Sequence, residues 1–297
     1  AIKPGVTSMN EIQIPVTVSG PGSQPAEEDG ADLEILQLPD EMSTFSMPSL
    51  QDVEDVSKLQ DGMALLKQLD GILKQQAKAR QVTPEYIDID HLDAADKQLI
   101  DQVLGEGEVS MLYESSDTTA RIQESVMAGL WRVRYYNDAD EVTADTVEVA
   151  YVPRLSQRHV FKQAAHRVEH QRDSIPDGVI NAPPLLAEIN DKVAEFRPGK
   201  DNHIINLTLL PQTEADIEFL TRVLGKGPLT ILSRGYGNCR ITSTAVQNVW
   251  WVQYFNSQDK NILNTIEIGA IPAVAAAAHE DVQDSAERLS EILEAYL

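Results

Sequence analysis

Residues 131–137 (WRVRYYN) recur further along the chain as residues 250–256 (WWVQYFN). Other segments recur in the same order and with nearly the same spacing. The matched pairs are 103–107 (VLGEG) with 223–227 (VLGKG), 131–137 with 250–256, and 146–149 (TVEV) with 265–268 (TIEI). Ordered matches over so long a stretch predict the internal duplication of one structural unit.

Each copy has the pattern of an α+β unit. Apolar residues at helical spacing, followed by Gly105 or Gly225, predict a helix that ends at the glycine. A helix and a short strand precede it, and four segments of alternating polarity follow it, which predicts a mainly antiparallel sheet of about four strands. In the first copy the segments are a helix at 63–76, a strand at 86–89, and strands at 108–113, 121–126, 130–136 and 146–152.

The repeat divides the chain into four parts. Prolines, glycines and an acidic run in residues 1–50 predict a flexible, acidic N-terminal arm. We assign residues 51–156 to the first α+β repeat and 157–180 to a polar helical connector. Residues 181–297 form the second repeat together with a C-terminal helix.

The charge of the chain limits its partners. A formal net charge of −23 over 297 residues repels phosphate, so we expect no nucleic-acid partner and no stable membrane association. Basic or neutral protein segments are the expected partners, unless the acidity serves only solubility. No segment is apolar over the length of a membrane span, and the N-terminus lacks the apolar core of a secretory signal. The expected location is cytoplasmic.

Cysteine and histidine content argues against an enzyme and against a cofactor. The single cysteine, Cys239, cannot provide the ligands of an iron–sulfur cluster or a thiolate zinc site. It is either a nucleophile paired with a distant histidine or, as we favour, a small buried residue. Residues 166–170 (HRVEH) match an inverse zinc-protease pattern, with His159 one heptad upstream. Polar flanks favour a solvated connecting helix instead, and we predict no metal site.

The repeated tryptophan strand differs between the copies on one face. Alternation predicts that Trp131 faces a core while Arg132 and Arg134 face water. The second copy has Trp251 and Phe255 on the face that is predicted to be wet. Exposed aromatic residues would form an interaction surface. Alternatively, the N-terminal arm or the C-terminal helix covers them.

The segment 233–240 (SRGYGNCR) also distinguishes the second copy, because its counterpart is acidic and lacks glycine. Its glycines permit close backbone approach, and its arginines can bind carboxylates, although glycine-rich hairpins are often only turns. The predicted partner-binding residues are Arg234, Gly235, Tyr236, Gly237, Asn238, Arg240, Trp251 and Phe255.

Several of these segments together resemble the HupH/HyaF/HoxQ family of nickel–iron (NiFe) hydrogenase expression/formation proteins. The resemblance rests on residues 41–48, 104–110, 122–125, 129–133, 233–237, 271–272 and 280–292. It implies a non-enzymatic chaperone, without a cofactor, for the iron–sulfur small-subunit precursor of an uptake hydrogenase before twin-arginine export. A thioredoxin-like co-chaperone would be a second partner.

Two alternatives remain at this point. The protein could be an adaptor that joins other maturation factors through its N-terminal arm. It could also be a thiol- or metal-dependent hydrolase that acts on the precursor.

Overall fold

The order of helices and strands repeats along the computed structural model, which describes residues 59–169, 175–235 and 237–295. The predicted arm, residues 1–50, lies outside them. The first half contains α1 (Gln60–Lys78), β1 (Glu85–Asp88), α2 (Ala94–Leu104), β2 (Val109–Glu114), β3 (Thr119–Glu124), β4 (Leu130–Tyr136), β5 (Val142–Val149) and the short α3 (Arg154–Arg158). The second half contains α4 (Ala182–Glu195), β6 (His203–Asn206), α5 (Glu214–Leu224), β7 (Leu229–Ser233), β8 (Asn238–Ser243), β9 (Val249–Phe255), β10 (Asn261–Ile268) and α6 (His279–Ala295).

All ten strands belong to one antiparallel sheet, in the order β1-β5-β4-β3-β2-β7-β8-β9-β10-β6. The prediction of a mixed helix-and-sheet fold with an antiparallel sheet and a C-terminal helix is confirmed. The sequence did not predict that the two copies share one sheet, which they join through the β2–β7 pair. Because β2 and β7 are equivalent strands, this pair relates the two halves by an approximate twofold axis.

Side-chain caps and glycines set the bounds of the second helix in each repeat. The Asp93 side chain accepts hydrogen bonds from the first turn of α2, and Thr213 forms a capping box with Asp216 at the start of α5. Gly105 and Gly225 follow these helices with φ of 57° and 63°, a region that favours glycine. The predicted glycine stops are therefore confirmed.

Helices cover one face of the sheet in two separate groups. Helices α1, α2 and α6 pack on the first half, in a core that includes Leu66, Ile100 and Leu289. Helices α4 and α5 pack on the second half. The sequence assignment groups α6 with the second repeat, but α6 lies against α1, where Ser290 Oγ donates to Asp70 Oδ1 at 2.6 Å.

The opposite face holds a third core that crosses the seam between the halves. It contains both repeated tryptophans, Trp131 and Trp250, and draws on strands from both repeats. Phe161 packs edge-to-face on Trp250, with 4.9 Å between ring centroids. One core shared by six strands makes the two repeats depend on each other for stability.

The connector is not the helix that its polarity predicted. Helix α3 ends at Arg158, and residues 159–169 form turns with one bridge between Ala165 and Val246. The physical reason is burial: Val160 and Phe161 pack into the third core, and this packing replaces the solvated helix that the polar residues predicted. In the described part of the chain, no helix has both the length and the apolarity that a membrane span requires.

Candidate functional site

The arginine-bearing face of β4 is covered by α2 rather than by water. Arg132 is 6% exposed, and so its prediction as a wet residue is wrong. Its guanidinium donates to both carboxylate oxygens of Asp145, from Nε to Oδ1 and from Nη2 to Oδ2, each at 2.7 Å. Such a two-point pair is the geometry in which a buried arginine is best compensated.

Arg132 keeps one buried nitrogen without a hydrogen bond. Its Nη1 lies 3.3 Å from Oδ1 of Asp101, close enough for an ion pair but outside hydrogen-bond geometry. Arg134 Nη2 instead donates to both carboxylate oxygens of Asp101, at 2.7 Å to Oδ1 and 2.6 Å to Oδ2. An unsatisfied buried donor costs roughly 1–3 kcal/mol, so this atom is a feature that needs an explanation.

A cavity of about 500 Å³ opens beside these groups, between the end of α2 and the strands β2 to β4. We call it the arginine cleft. Its polar lining is Asp101, Glu106, Ser110, Arg121, Gln123, Arg132, Arg134 and Tyr136. The volume lies in the range of small-ligand pockets. Asp101 and Arg134 are the more exposed members, with side chains 46% and 34% accessible, so they stand at its mouth.

An arginine stacks on an aromatic ring at the same position of both repeats. Arg121 lies 4.3 Å from the centre of the Tyr136 ring, and Arg240 lies 5.0 Å from the centre of the Phe255 ring. The structure therefore brings together two of the predicted partner-binding residues, Arg240 and Phe255. Phe255 is half-buried beneath this contact.

Trp251 is a core residue. It is 3% exposed and packs with Phe219 and Ile266 under α4 and α5. Its indole Nε1 donates to Asn264 Oδ1 at 2.5 Å. The sequence left open whether Trp251 is exposed as part of an interaction surface or covered by another element, and in the structure it is covered. The cover is the helix pair of its own repeat rather than the C-terminal helix, which lies against α1; the N-terminal arm lies outside the described residues.

The glycine-rich segment forms the β7–β8 hairpin, beside the start of β2. Arg234 N donates to the Glu108 carbonyl at 3.1 Å, which ties the hairpin to the first repeat. Gly237 has φ of 98° and is exposed together with Gly235 and Asn238. Tyr236 lies outside the described residues. The hairpin thus presents backbone to solvent at the seam between the repeats.

Cys239 is a buried side chain, as the sequence interpretation favoured. It is 3% exposed, and burial raises the pKa of its thiol to about 12 beside Tyr254. Two histidines that are distant in sequence and could serve as its base contact other groups: His203 contacts Glu188 at 2.6 Å, and His279 contacts Tyr151 at 3.1 Å. A thiol with so high a pKa is a poor nucleophile at neutral pH.

The histidine pattern at 166–170 does not lie on a helix. His166 follows the Ala165 bridge in a bend, and His170 lies outside the described residues. Across residues 59–169, 175–235 and 237–295, no cluster of three or more histidine, cysteine or carboxylate side chains could hold a metal ion.

Sequence reasoning missed three buried carboxylates whose pKa values are raised in the fold. Glu148 and Glu267 occupy the same position of the two repeats, and burial raises the pKa of each. Glu148 accepts from Arg154 N at 2.7 Å, and Glu267 accepts from Asn202 at 3.2 Å. Glu124 is also buried, and burial raises its pKa to about 7. The recurring TVEV/TIEI segment was the available signal for the first two.

Exposed apolar side chains gather near the outer edge of the second half. Leu209 is 80% exposed and Ile262 is 56% exposed. Hydrogen bonds join the segments that carry them: Asn264 N donates to Thr208 Oγ1 at 2.8 Å, and the Asn181 side-chain amide donates to the Pro211 carbonyl. We call this set the edge patch, and it consists of Ile180, Ile204, Leu209, Leu210 and Ile262.

Among the described residues of the first repeat, only Tyr86 and Val142 are exposed large apolar side chains. Tyr86, the counterpart of Ile204 on the outer strand, is partly covered by the Arg154 guanidinium, 4.1 Å from the ring centre, and is 41% exposed. The position equivalent to Arg154 in the second repeat is Ala273, which is too short to cover Ile204.

A family model described as "HupH hydrogenase expression protein, C-terminal conserved region" matches this chain twice, over residues 59–173 and 179–296. The double match confirms the duplication. The chain is 45% identical to the hydrogenase expression/formation protein HoxQ of Cupriavidus necator, over 96% of this chain and 98% of HoxQ. It is 41% identical to HupH of Rhodobacter capsulatus (97% and 99%) and 33% identical to the hydrogenase-1 operon protein HyaF of Escherichia coli (92% and 93%).

Proposed function

Since the chain belongs to the HupH family of hydrogenase expression proteins, we propose that it is a dedicated chaperone in hydrogenase maturation. Its client is the iron–sulfur small-subunit precursor, which it binds in the cytoplasm before export. A thioredoxin-like co-chaperone acts on the same precursor. The maturation role follows from the family, whereas the client and the mode of action are the proposal.

The edge patch is the observation that carries the proposal. Its side chains are exposed, large and apolar, and they lie near β6, the outermost described strand, whose outer edge can pair with an extended segment. A group of exposed large apolar side chains in one region favours an interaction site. A precursor that has not yet buried its own apolar segments is a suitable ligand for such a surface.

The charge of the protein supports the same client. A net charge of −23 attracts basic segments. A twin-arginine signal peptide combines basic residues with an apolar stretch, and so it complements both the acidic surface and the edge patch. The β7–β8 hairpin, with Arg234, Gly237 and Asn238 accessible at the seam, would contact other parts of the client.

An accessory role without catalysis agrees with the chemistry of the described residues. The buried Cys239 thiol has a pKa of about 12. His203 and His279 contact Glu188 and Tyr151 rather than this thiol. A hydrolase would need an activated nucleophile or a bound metal ion.

A capture experiment tests the proposal. The full chain is immobilised and incubated with the small-subunit precursor, and the variant Leu209→Ser/Ile262→Ser is compared with Val142→Ser. Val142 is a matched control because it is 50% exposed in the first repeat, away from the edge patch. Wild type and Val142→Ser should retain the precursor, and the double variant should lose at least about tenfold in affinity. Failure of the wild-type protein to retain the precursor would contradict the client assignment.

A further inference from the structure

The two repeats provide an internal comparison for the arginine cleft. Trp251 occupies the position of Arg132, and Asn264 occupies that of Asp145. The indole of Trp251 donates to Asn264 just as the guanidinium of Arg132 donates to Asp145. A neutral pair therefore fulfils the same structural role in the same fold, so the fold itself does not require the charged pair of the first repeat.

The difference between the repeats extends to the mouth of the cleft. Arg134 corresponds to Gln253, and Asp101 corresponds to Thr221. In the second repeat the large apolar Trp251 packs beneath α4 and α5, while the first repeat keeps a cavity of about 500 Å³ and three arginines around it. The cavity lining contains three arginines and two carboxylates, Asp101 and Glu106, in a chain with a net charge of −23.

One nitrogen of Arg132 makes no hydrogen bond with the described residues. Asp145 fixes Nε and Nη2, which leaves the buried Nη1 facing the Asp101 carboxylate at 3.3 Å, outside hydrogen-bond geometry. The side chain is 6% exposed, so bulk water does not compensate this nitrogen. Arg134, at the mouth, presents a second guanidinium on the same face of β4.

We propose that the arginine cleft binds a carboxylate, which accepts hydrogen bonds from Arg132 Nη1 and from Arg134. Asp101 indicates the position of this group. Its carboxylate lies 3.3 Å from Arg132 Nη1 and 2.6 Å from Arg134 Nη2, and as a half-exposed side chain it can turn to solvent when a ligand replaces it. The inference goes beyond the proposed function, because it concerns the first repeat and does not depend on the edge patch.

The chemistry of the cleft selects a carboxylate over a phosphate. Planar guanidinium groups match the two oxygens of a carboxylate. Glu106 also lines the cavity, and the acidic protein as a whole repels anions of higher charge. The carboxylate can belong to an acidic protein segment or to a small organic acid, and the two sources are distinguished experimentally.

Calorimetric titration of the full chain tests the inference, with succinate as the small acid and an acetylated, amidated Gly-Glu-Gly peptide as the protein segment. The site is supported if either probe binds and if Arg134→Gln weakens this binding at least tenfold while Asp101→Asn strengthens it several-fold. The probe that binds identifies the source of the carboxylate. Arg197→Gln is the matched control, since the Arg197 guanidinium donates to the backbone carbonyls of Ala194 and Phe196 and does not line the arginine cleft.

Three results would overturn the inference. The first is that neither probe binds. The second is that Arg134→Gln binds as well as the wild-type protein while its thermal unfolding is unchanged. The third is that sulfate competes with either probe at equal concentration, because a generic anion site would then replace the carboxylate site. None of these results bears on capture of the precursor, so the two proposals fail independently.

Discussion

Met111 lies directly opposite Ile231 in the β2–β7 pair, and the two residues occupy the same position of the two repeats. The approximate twofold axis of the fold therefore passes through this pair. Both side chains are buried in the core that the repeats share. The arrangement is that of a symmetric dimer whose interface is a continuous sheet within one chain.

The shared core predicts that the repeats unfold together. Ile231→Ala should lower the free energy of unfolding by about 2–5 kcal/mol, because it leaves a cavity at the axis of the fold. Denaturation followed by tryptophan fluorescence and by circular dichroism should give one coincident transition. Leu209→Ala is the control and should change stability by less than about 0.5 kcal/mol, since Leu209 is 80% exposed. Two separate transitions would mean that the halves are independent domains.

The burial of Trp251 predicts that its truncation costs much more stability than truncation of Phe255 on the same strand. Trp251→Ala should lower the free energy of unfolding by about 3–5 kcal/mol, because it empties a core position. Phe255→Ala should lower it by about 1 kcal/mol, because the ring is half-buried and mainly contacts Arg240. Equal, small losses in urea denaturation would show that Trp251 is not covered by α4 and α5.

The Arg132–Asp145 pair predicts that the stability losses from substituting its two members are not additive. Arg132→Trp alone should destabilise the protein by roughly 3–5 kcal/mol, because the buried Asp145 loses both hydrogen bonds from Arg132 and retains only the longer ion pairs to Lys97 and Arg134. The double change Arg132→Trp/Asp145→Asn, which copies the second repeat, should be less destabilising than Arg132→Trp alone. A double-mutant cycle in urea, with Arg132→Trp and Asp145→Asn as the single variants, measures this coupling. Additive losses would contradict the equivalence of the two positions.

Glu124 predicts a pH dependence of stability. Its pKa is raised from 4.5 to about 7 in the folded state, so the folded protein holds a proton that the unfolded chain releases. The resulting stabilisation is complete below about pH 4.5, falls as the pH rises, and is lost above about pH 7; the total is on the order of 3 kcal/mol.

Glu124→Gln should remove this part of the dependence. The variant should therefore gain stability relative to wild type between pH 5 and pH 8, measured as the difference in free energy of unfolding at each pH. Glu148 and Glu267 also have raised pKa values and contribute with the same sign in both proteins, so the difference isolates Glu124. A difference that stays constant with pH would contradict the raised pKa.

Local signals predicted most elements of the fold and fewer of their relations in space. Periodicity and the glycines at 105 and 225 identified helices and strands, because these depend on neighbouring residues. The pairing of β2 with β7 joins segments far apart in sequence and left no local signal. Alternation along β4 separated Arg132 from Trp131 correctly, but a period of two does not tell which face a helix covers.

The candidate site was predicted in part for the same reason. Arg240 and Phe255 were selected from a single strand pattern and a loop, and they do meet in the fold. The edge patch escaped sequence reasoning because Leu209 follows β6 while Ile262 lies in β10, and only the β6–β10 pairing brings these segments together. The arginine cleft could not be predicted without knowing that α2 lies over this part of the sheet.

The most direct measurement of the central claim is site-specific photo-crosslinking in cells that produce the small-subunit precursor. A photoreactive amino acid replaces Leu209 in one strain and Val142 in another, both exposed positions on opposite halves of the sheet. The account predicts an adduct with the precursor at position 209 and none at position 142. Equal adducts at both positions, or an adduct at 142 alone, would contradict it.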